Sequence, residues 1–142
     1  MADVHNKATR SYNMSQIKGK NTKPEMLVRK FLHAQGFRYK LHDKTLPGKP
    51  DLVLPKYKTV IFIHGCFWHK HEGCKYFVVP KTRTDWWLNK INGNVANDQK
   101  AVSRLEEDDW NVITIWECEL KGEKTIVTLA KLFGKLITFP PK

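Results

Sequence analysis

The sequence predicts an α/β domain with a mixed central sheet flanked by helices. Three observations carry this. Its 142 residues are the size of one compact domain. The apolar pattern changes period along the chain, in the order helix, three strands, helix, strand, helix. The run Thr59-Val60-Ile61-Phe62-Ile63-His64 is apolar or β-branched almost throughout, as in a strand covered on both faces.

Residues 1–20 are polar with little to bury. They are expected to form a mobile basic arm, or a short helix that orders on a partner, ahead of a single domain over 21–142. Thr22 reads as an N-cap, with Pro24 and Glu25 in the first turn. Leu27, Val28, Phe31 and Leu32 share one helical face, and Gly36 stops the helix. Residues 37–41 are a candidate strand, and Leu46-Pro47-Gly48-Lys49-Pro50 is turn chemistry. Residues 51–54 and 59–64 then form a hairpin around a turn at 56–58. An irregular loop follows. Residues 85–91 predict a short helix, and 94–107 a longer one with Val95, Val102 and Leu105 inward. A β-branched strand at 112–116 and an amphipathic helix at 124–136 close the domain. Trp110 and Trp116 are expected in the core.

The charge is strongly basic and uneven. The net charge is +11, from 25 basic and 14 acidic residues. Nearly all the excess lies in residues 1–58, where only Asp3, Glu25, Asp43 and Asp51 oppose the lysines and arginines. A basic half of this kind suits a polyanion, most simply nucleic acid. The longest apolar run, Val60-Ile61-Phe62-Ile63, is far too short to span a bilayer, and MADVHNKATR has no apolar signal region. A cytoplasmic protein is therefore expected. Three cysteines do not make a disulfide framework; in a reducing compartment, clustered Cys and His point to metal.

The cluster is HGCFWHKHEGC, residues 64–74. Cys66, His71 and Cys74 are spaced so that a loop can close thiolate and imidazole around tetrahedral zinc. Cys118 becomes the fourth ligand if the strand at 112–116 lies beside the one at 59–64; His69 or His64 are the alternatives. A shell made wholly of Cys and His, with no open position, is structural rather than catalytic.

Other residues suit phosphodiester chemistry. Asp51 begins a strand just after a basic turn, and a carboxylate there is a hard oxygen ligand for Mg2+. A neutral imidazole from His64 or His69 could take a proton from water. Glu25, in the first turn of its helix, could hold water on the ion or orient a histidine.

Taken together, KATRSYNMSQI, LPGKPDLVL, VIFIHGCFWHKHEGC, TRTDWWLNKINGNV and ITIWECEL resemble the very short patch repair endonucleases of bacteria. The resemblance covers roughly residues 1–120. It implies a restriction-endonuclease-like fold and nicking of DNA at thymine–guanine mismatches, which arise when 5-methylcytosine deaminates. It implies Asp51 as the Mg2+-binding aspartate, with the backbone carbonyl of Ile63 as a second contact and two Mg2+ ions at the site; the second acidic residue and lysine of the commoner nuclease pattern are lacking, with Ile63 and Gly65 in their places. It implies His69 as the residue that activates water, with His64 and Glu25 supporting the scissile phosphate. It also implies Cys66, His71, Cys74 and Cys118 as a structural Zn2+ site. Ile63 itself, and the Glu72-Gly73 pair that lengthens the loop before Cys74, depart from the family's pattern.

Phe67 and Trp68 lie among the metal ligands, and Trp86 and Trp87 follow a basic stretch. Flat apolar side chains can wedge between base steps, and a mispaired step is cheaper to open. The resemblance puts Phe67, Trp68 and Trp87 in such a wedge, with Met14 entering from the other groove and Lys90 and Asn94 touching the mismatched pair. Trp86 is expected as an ordinary core or rim residue. The partner implied is double-stranded DNA with a T:G mismatch, acted on by a monomer at the bacterial nucleoid, with mismatch-repair proteins as further partners. A non-catalytic, zinc-stabilised DNA-binding module is the alternative; it would not need Asp51, His64 or His69. In a third reading His64 or His69 binds the catalytic metal itself.

Overall fold

The structure, a computed structural model, describes residues 22–138; the expected arm over 1–20, with Met14, lies outside them. Helix α1 (Lys23–Ala34) starts where the Glu25 N–H donates to Thr22 Oγ1 at 3.4 Å, with Pro24 in the first turn. Gly36 follows at φ +90°, and the Phe37 N–H returns to the Leu32 carbonyl at 3.0 Å. The chain continues through β1 (Lys40–Leu41), β2 (Leu52–Leu54), β3 (Thr59–His64), α2 (Thr84–Glu107), β4 (Asn111–Trp116) and α3 (Lys124–Thr138). Single 3-10 turns, Pro55–Tyr57 and Glu117–Leu120, follow β2 and β4.

The four strands form one sheet in the order β1-β2-β3-β4. The first three are antiparallel neighbours, and β4 runs parallel to β3, so the sheet is mixed as expected. Alternation along β2 and β3 divides the apolar residues between two cores. Leu52, Leu54 and Ile61 pack with Val28 and Leu32 of α1 and with Leu132 and Leu136 of α3. Val53, Val60 and Phe62 pack with Leu105 of α2. The sheet is thus sandwiched, α1 and α3 on one face and α2 on the other. Every residue of β3 except Ile63 is buried. Gly48, at φ +75°, lets the turn before β2 lie against α2; an added Cβ would come within 2.7 Å of the Ala101 Cβ.

Some elements differ from expectation. The strand at 37–41 shrinks to Lys40–Leu41, because Phe37 is buried and spends its N–H closing α1 rather than on a ladder. The two helices at 85–91 and 94–107 are one helix, Thr84–Glu107. Gly93 costs roughly 1 kcal/mol against Ala in a helix interior, too little to break a helix held by burial on both sides of it. Its buried residues are Ile91, Ala101 and Leu105; Val95 and Val102 are only half-buried. Trp110 and Trp116 are also half-buried. Trp110 caps the second core beneath the Lys58 ammonium, and Trp116 turns toward the histidines.

Candidate functional site

Parallel pairing gives β3 and β4 a common direction and sets His64 opposite Trp116. The loop after β3 and the turn after β4 therefore leave the sheet side by side. Cys66 and Cys118 lie just beyond those ends. With His71 and Cys74 they form a group whose ligand atoms all lie within 4.8 Å of one another, able to hold a metal ion. Cys118 Sγ is 3.4 Å from His71 Nδ1. Bonds of about 2.3 Å to sulfur and 2.0 Å to nitrogen in a tetrahedral shell separate such ligands by roughly 3.5 Å. Burial first, then the thiols of Cys118 and Cys74, push the Cys66 thiol up to about 12. Three crowded thiols gain by sharing a cation that lets them ionise together. The loop is wound tightly to present them: the His71 N–H donates to the Cys66 carbonyl at 2.9 Å, and the Cys74 N–H to the His71 carbonyl at 3.3 Å. His71 stacks on the Trp116 indole, 4.2 Å between ring centroids.

On the other side of His64 a cleft of about 640 Å³ opens, lined by Asp51, His64, His69, Phe67, Trp68 and Asp98 among others. Asp51, immediately before β2, accepts the Ile63 N–H on Oδ2 at 2.7 Å. Burial, opposed by that hydrogen bond and reinforced by the Glu25 charge, pushes its carboxyl up to about 6. Glu25 is almost fully buried, with Arg29 Nη1 on Oε2 at 3.3 Å and His42 Nε2 on Oε1 at 3.0 Å. Glu25, His42 and Asp51 form a second group with metal-binding spacing, and His64, His69 and Asp98 a third.

The two cleft histidines are stacked, 3.8 Å between centroids and 5° between planes. Burial first, then the charge of His69, pushes His64 down to about 4, so it is neutral near pH 7. Its Nδ1 is buried and has no hydrogen-bond partner among the described residues. His69 Nδ1 lies 2.6 Å from Asp98 Oδ2, which fixes the ring and leaves Nε2 as its other nitrogen.

Phe67, Trp68 and Trp87 are brought together, with centroids 5.2 to 5.8 Å apart. Trp68 is 44% exposed despite its bulk. Trp86, 48% exposed with the Arg83 guanidinium over it, is a rim residue rather than core. Lys90 is exposed on α2. Asn94 holds the aromatic loop, its Nδ2 donating to the Trp68 carbonyl at 3.0 Å. Sequence reading missed His42 and Asp98. Continuing the β1–β2 register puts His42 opposite Asp51. Asp98 falls on the stripe of α2 that carries Trp87, Ile91 and Asn94, a signal hidden by dividing the helix at Gly93.

No helix among the described residues is long and apolar enough to cross a membrane. The family described as DNA mismatch endonuclease Vsr matches residues 2–75. The chain is similar to the type II nicking enzyme V.NmeAIP of Neisseria meningitidis, 53% identical over 87% of each chain. It is 48% identical to the DNA mismatch endonuclease Vsr of Escherichia coli, over 89% of this chain and 80% of the relative. It is 47% identical to the type II nicking enzyme V.XorIIP of Xanthomonas oryzae, over 84% of this chain and 88% of the relative.

Proposed function

This chain belongs to the DNA mismatch endonuclease Vsr family, a DNA endonuclease, and from that premise we propose that it nicks one strand on the 5′ side of the thymine in a T:G mismatch. The observation that carries the reading is the cleft. It joins a half-buried aspartate, a histidine tethered to an acid, an orphaned imidazole nitrogen and an aromatic cluster. A non-catalytic DNA-binding module would have no use for the first three.

In this reading Asp51 and the Ile63 carbonyl hold Mg2+, in a restriction-endonuclease-like fold. The fit rests on donor chemistry. Asp51 is a hard oxygen ligand whose raised pKa marks a carboxylate in want of a cation. The N–H and C=O of one extended residue point the same way, so Ile63 turns both toward Asp51. Bound Mg2+ would neutralise phosphate charge and make water easier to deprotonate. The remaining work falls to side chains. His69 accepts the proton of the attacking water on Nε2, while Asp98 keeps Nδ1 protonated and stabilises the imidazolium that results. Neutral His64, stacked beneath it, supports the scissile phosphate from the cleft wall. Glu25 supports the same end of the cleft.

Zn2+ would be held by Cys66, His71, Cys74 and Cys118, closing the shell and stiffening the loop that carries Phe67 and Trp68. Those rings and Trp87 enter the base stack, Lys90 reaches the mismatched pair, and Asn94 steadies the wedge. Basic residues of the first half grip the phosphates without reading sequence.

The test is a nicking assay on synthetic duplexes that differ only in a T:G or T:A pair, with Mg2+ and without. A single Mg2+-dependent nick at the mismatch, lost in Asp51→Ala and His69→Ala, is the expected result. Binding without a nick in wild type would overturn the reading. Full cleavage by Asp51→Ala would transfer the metal to His64 and His69.

A further inference from the structure

We infer that His42 completes a three-residue cation site with Glu25 and Asp51, and that this nitrogen-bearing set prefers Mn2+ to Mg2+. The inference deepens the reading above and rests on it, since Asp51 is shared.

The backbone brings His42 there. Its N–H donates to the Asp51 carbonyl at 3.1 Å, one step beyond the Leu41–Leu52 pair of the hairpin. It does so at φ +47°, a left-handed conformation that residues other than glycine rarely adopt. Such strain persists where the surroundings demand one side-chain position.

That position suits a metal. His42 Nε2 and Glu25 Oε1 are 3.0 Å apart. Adjacent ligands of an octahedral ion with bonds of about 2.1 Å are separated by about 3.0 Å. One ligand atom from each of Glu25, His42 and Asp51 lies within 4.8 Å of the others. Glu25 is 1% exposed, with Arg29 on its other oxygen, and Asp51 is half-buried.

The imidazole decides which cation. Mg2+ favours an all-oxygen shell, whereas first-row transition ions accept imidazole nitrogen readily. A site with one nitrogen and two carboxylates therefore tilts toward Mn2+, the first-row ion closest to Mg2+ in its taste for oxygen.

The experiment uses the full chain, saturated with Zn2+ so that the cysteines are occupied, and free of DNA. Mn2+ is titrated by electron paramagnetic resonance, Mg2+ affinity is measured by competition, and pulsed spectra of bound Mn2+ are read for coupling to a ligating imidazole nitrogen. Wild type should show the coupling; His42→Gln should lose it, and His69→Ala should keep it. The Mn2+ affinity of His42→Gln should fall roughly 10- to 100-fold, with a smaller loss for Mg2+. No nitrogen coupling in wild type, coupling that survives His42→Gln, or equal losses for the two ions would overturn the proposal. The wild-type spectrum decides even if the variant folds poorly. Nicking assayed alongside separates the two readings: Mg2+-dependent nicking with no His42 coupling sinks this site alone, and His42-bound Mn2+ without nicking in either ion sinks the nuclease reading alone.

Discussion

Two groups of metal-capable side chains flank the end of β3, and they are built on opposite plans. Cys66, His71, Cys74 and Cys118 are soft donors that converge on one another, with Trp116 stacked on the histidine. Four such ligands fill a tetrahedral shell and leave no room for a substrate. Glu25, His42 and Asp51 are mostly hard donors, and through Asp51 the group meets an open cleft. They cannot fill a shell alone, and what completes it must come from outside. One group suits holding a loop in shape; the other suits holding something that reacts. His64 lies between them, edge-on to Trp116 and stacked on His69.

The contrast is broken first by deleting one ligand from each. Asp51→Ala should lower mismatch nicking about a thousandfold while the fold survives, since it removes a preorganised charge and no packing. Cys118→Ser should lose activity and structure together. Loss of one soft ligand should cost about 3 kcal/mol or more, and therefore lower the melting temperature of a chain this size by about 10 °C. Thermal melts beside nicking rates check both. If Cys118→Ser melts like wild type, the cysteine group holds no structural ion.

The same contrast explains what could be read from the sequence. Three ligands of the soft group fall within nine residues, and the fourth follows from one strand pairing, which β3 and β4 make. Spacing alone nearly specified it, though it left His64 and His69 open as ligands. The cleft draws on the start of α1, the approach to β2, the end of β3, the loop and the middle of α2, and His42 reaches Asp51 from just past β1. No local pattern links Glu25, His42, Asp51, His69 and Asp98; only tertiary packing does. Donor chemistry offered Glu25, Asp51 and His69 as separate candidates, and the family resemblance gave them roles. His42 was invisible because β1 is two residues long and its register could not be counted. The mixed sheet and its β2–β3 hairpin were legible because β3 is apolar almost throughout, whereas the unbroken α2 was not, because Gly93 looks like a stop and burial overrides it.

A smaller effect tests what the closed group is for. If it stiffens the loop so that Trp68 can enter the stack, Trp68→Ala should leave nicking chemistry intact and lower discrimination between T:G and T:A duplexes about tenfold. Unchanged discrimination would separate the aromatic cluster from mismatch recognition.

The smallest effect is in stability and has the opposite sign to the loss of function. The Asp51 carboxyl has a pKa of about 6 in the folded chain against 3.8 as its ordinary value, with burial the main cause. The folded state therefore binds this proton more tightly than the unfolded state does. The stability it contributes is full below pH 3.8 and is lost as pH rises through about 6. Asp51→Asn cannot ionise and keeps an oxygen for the Ile63 N–H. At about pH 7 and without Mg2+ the variant should be more stable than wild type by about 2 kcal/mol, and near pH 4 the advantage should vanish. Added Mg2+ should close the gap by stabilising wild type alone. A variant no more stable than wild type at neutral pH would mean that Asp51 is well solvated, and the open cleft would then have no unmet demand for a cation. A carboxylate held out of water in this way costs stability until a cation arrives, which a closed cysteine group, once filled, does not.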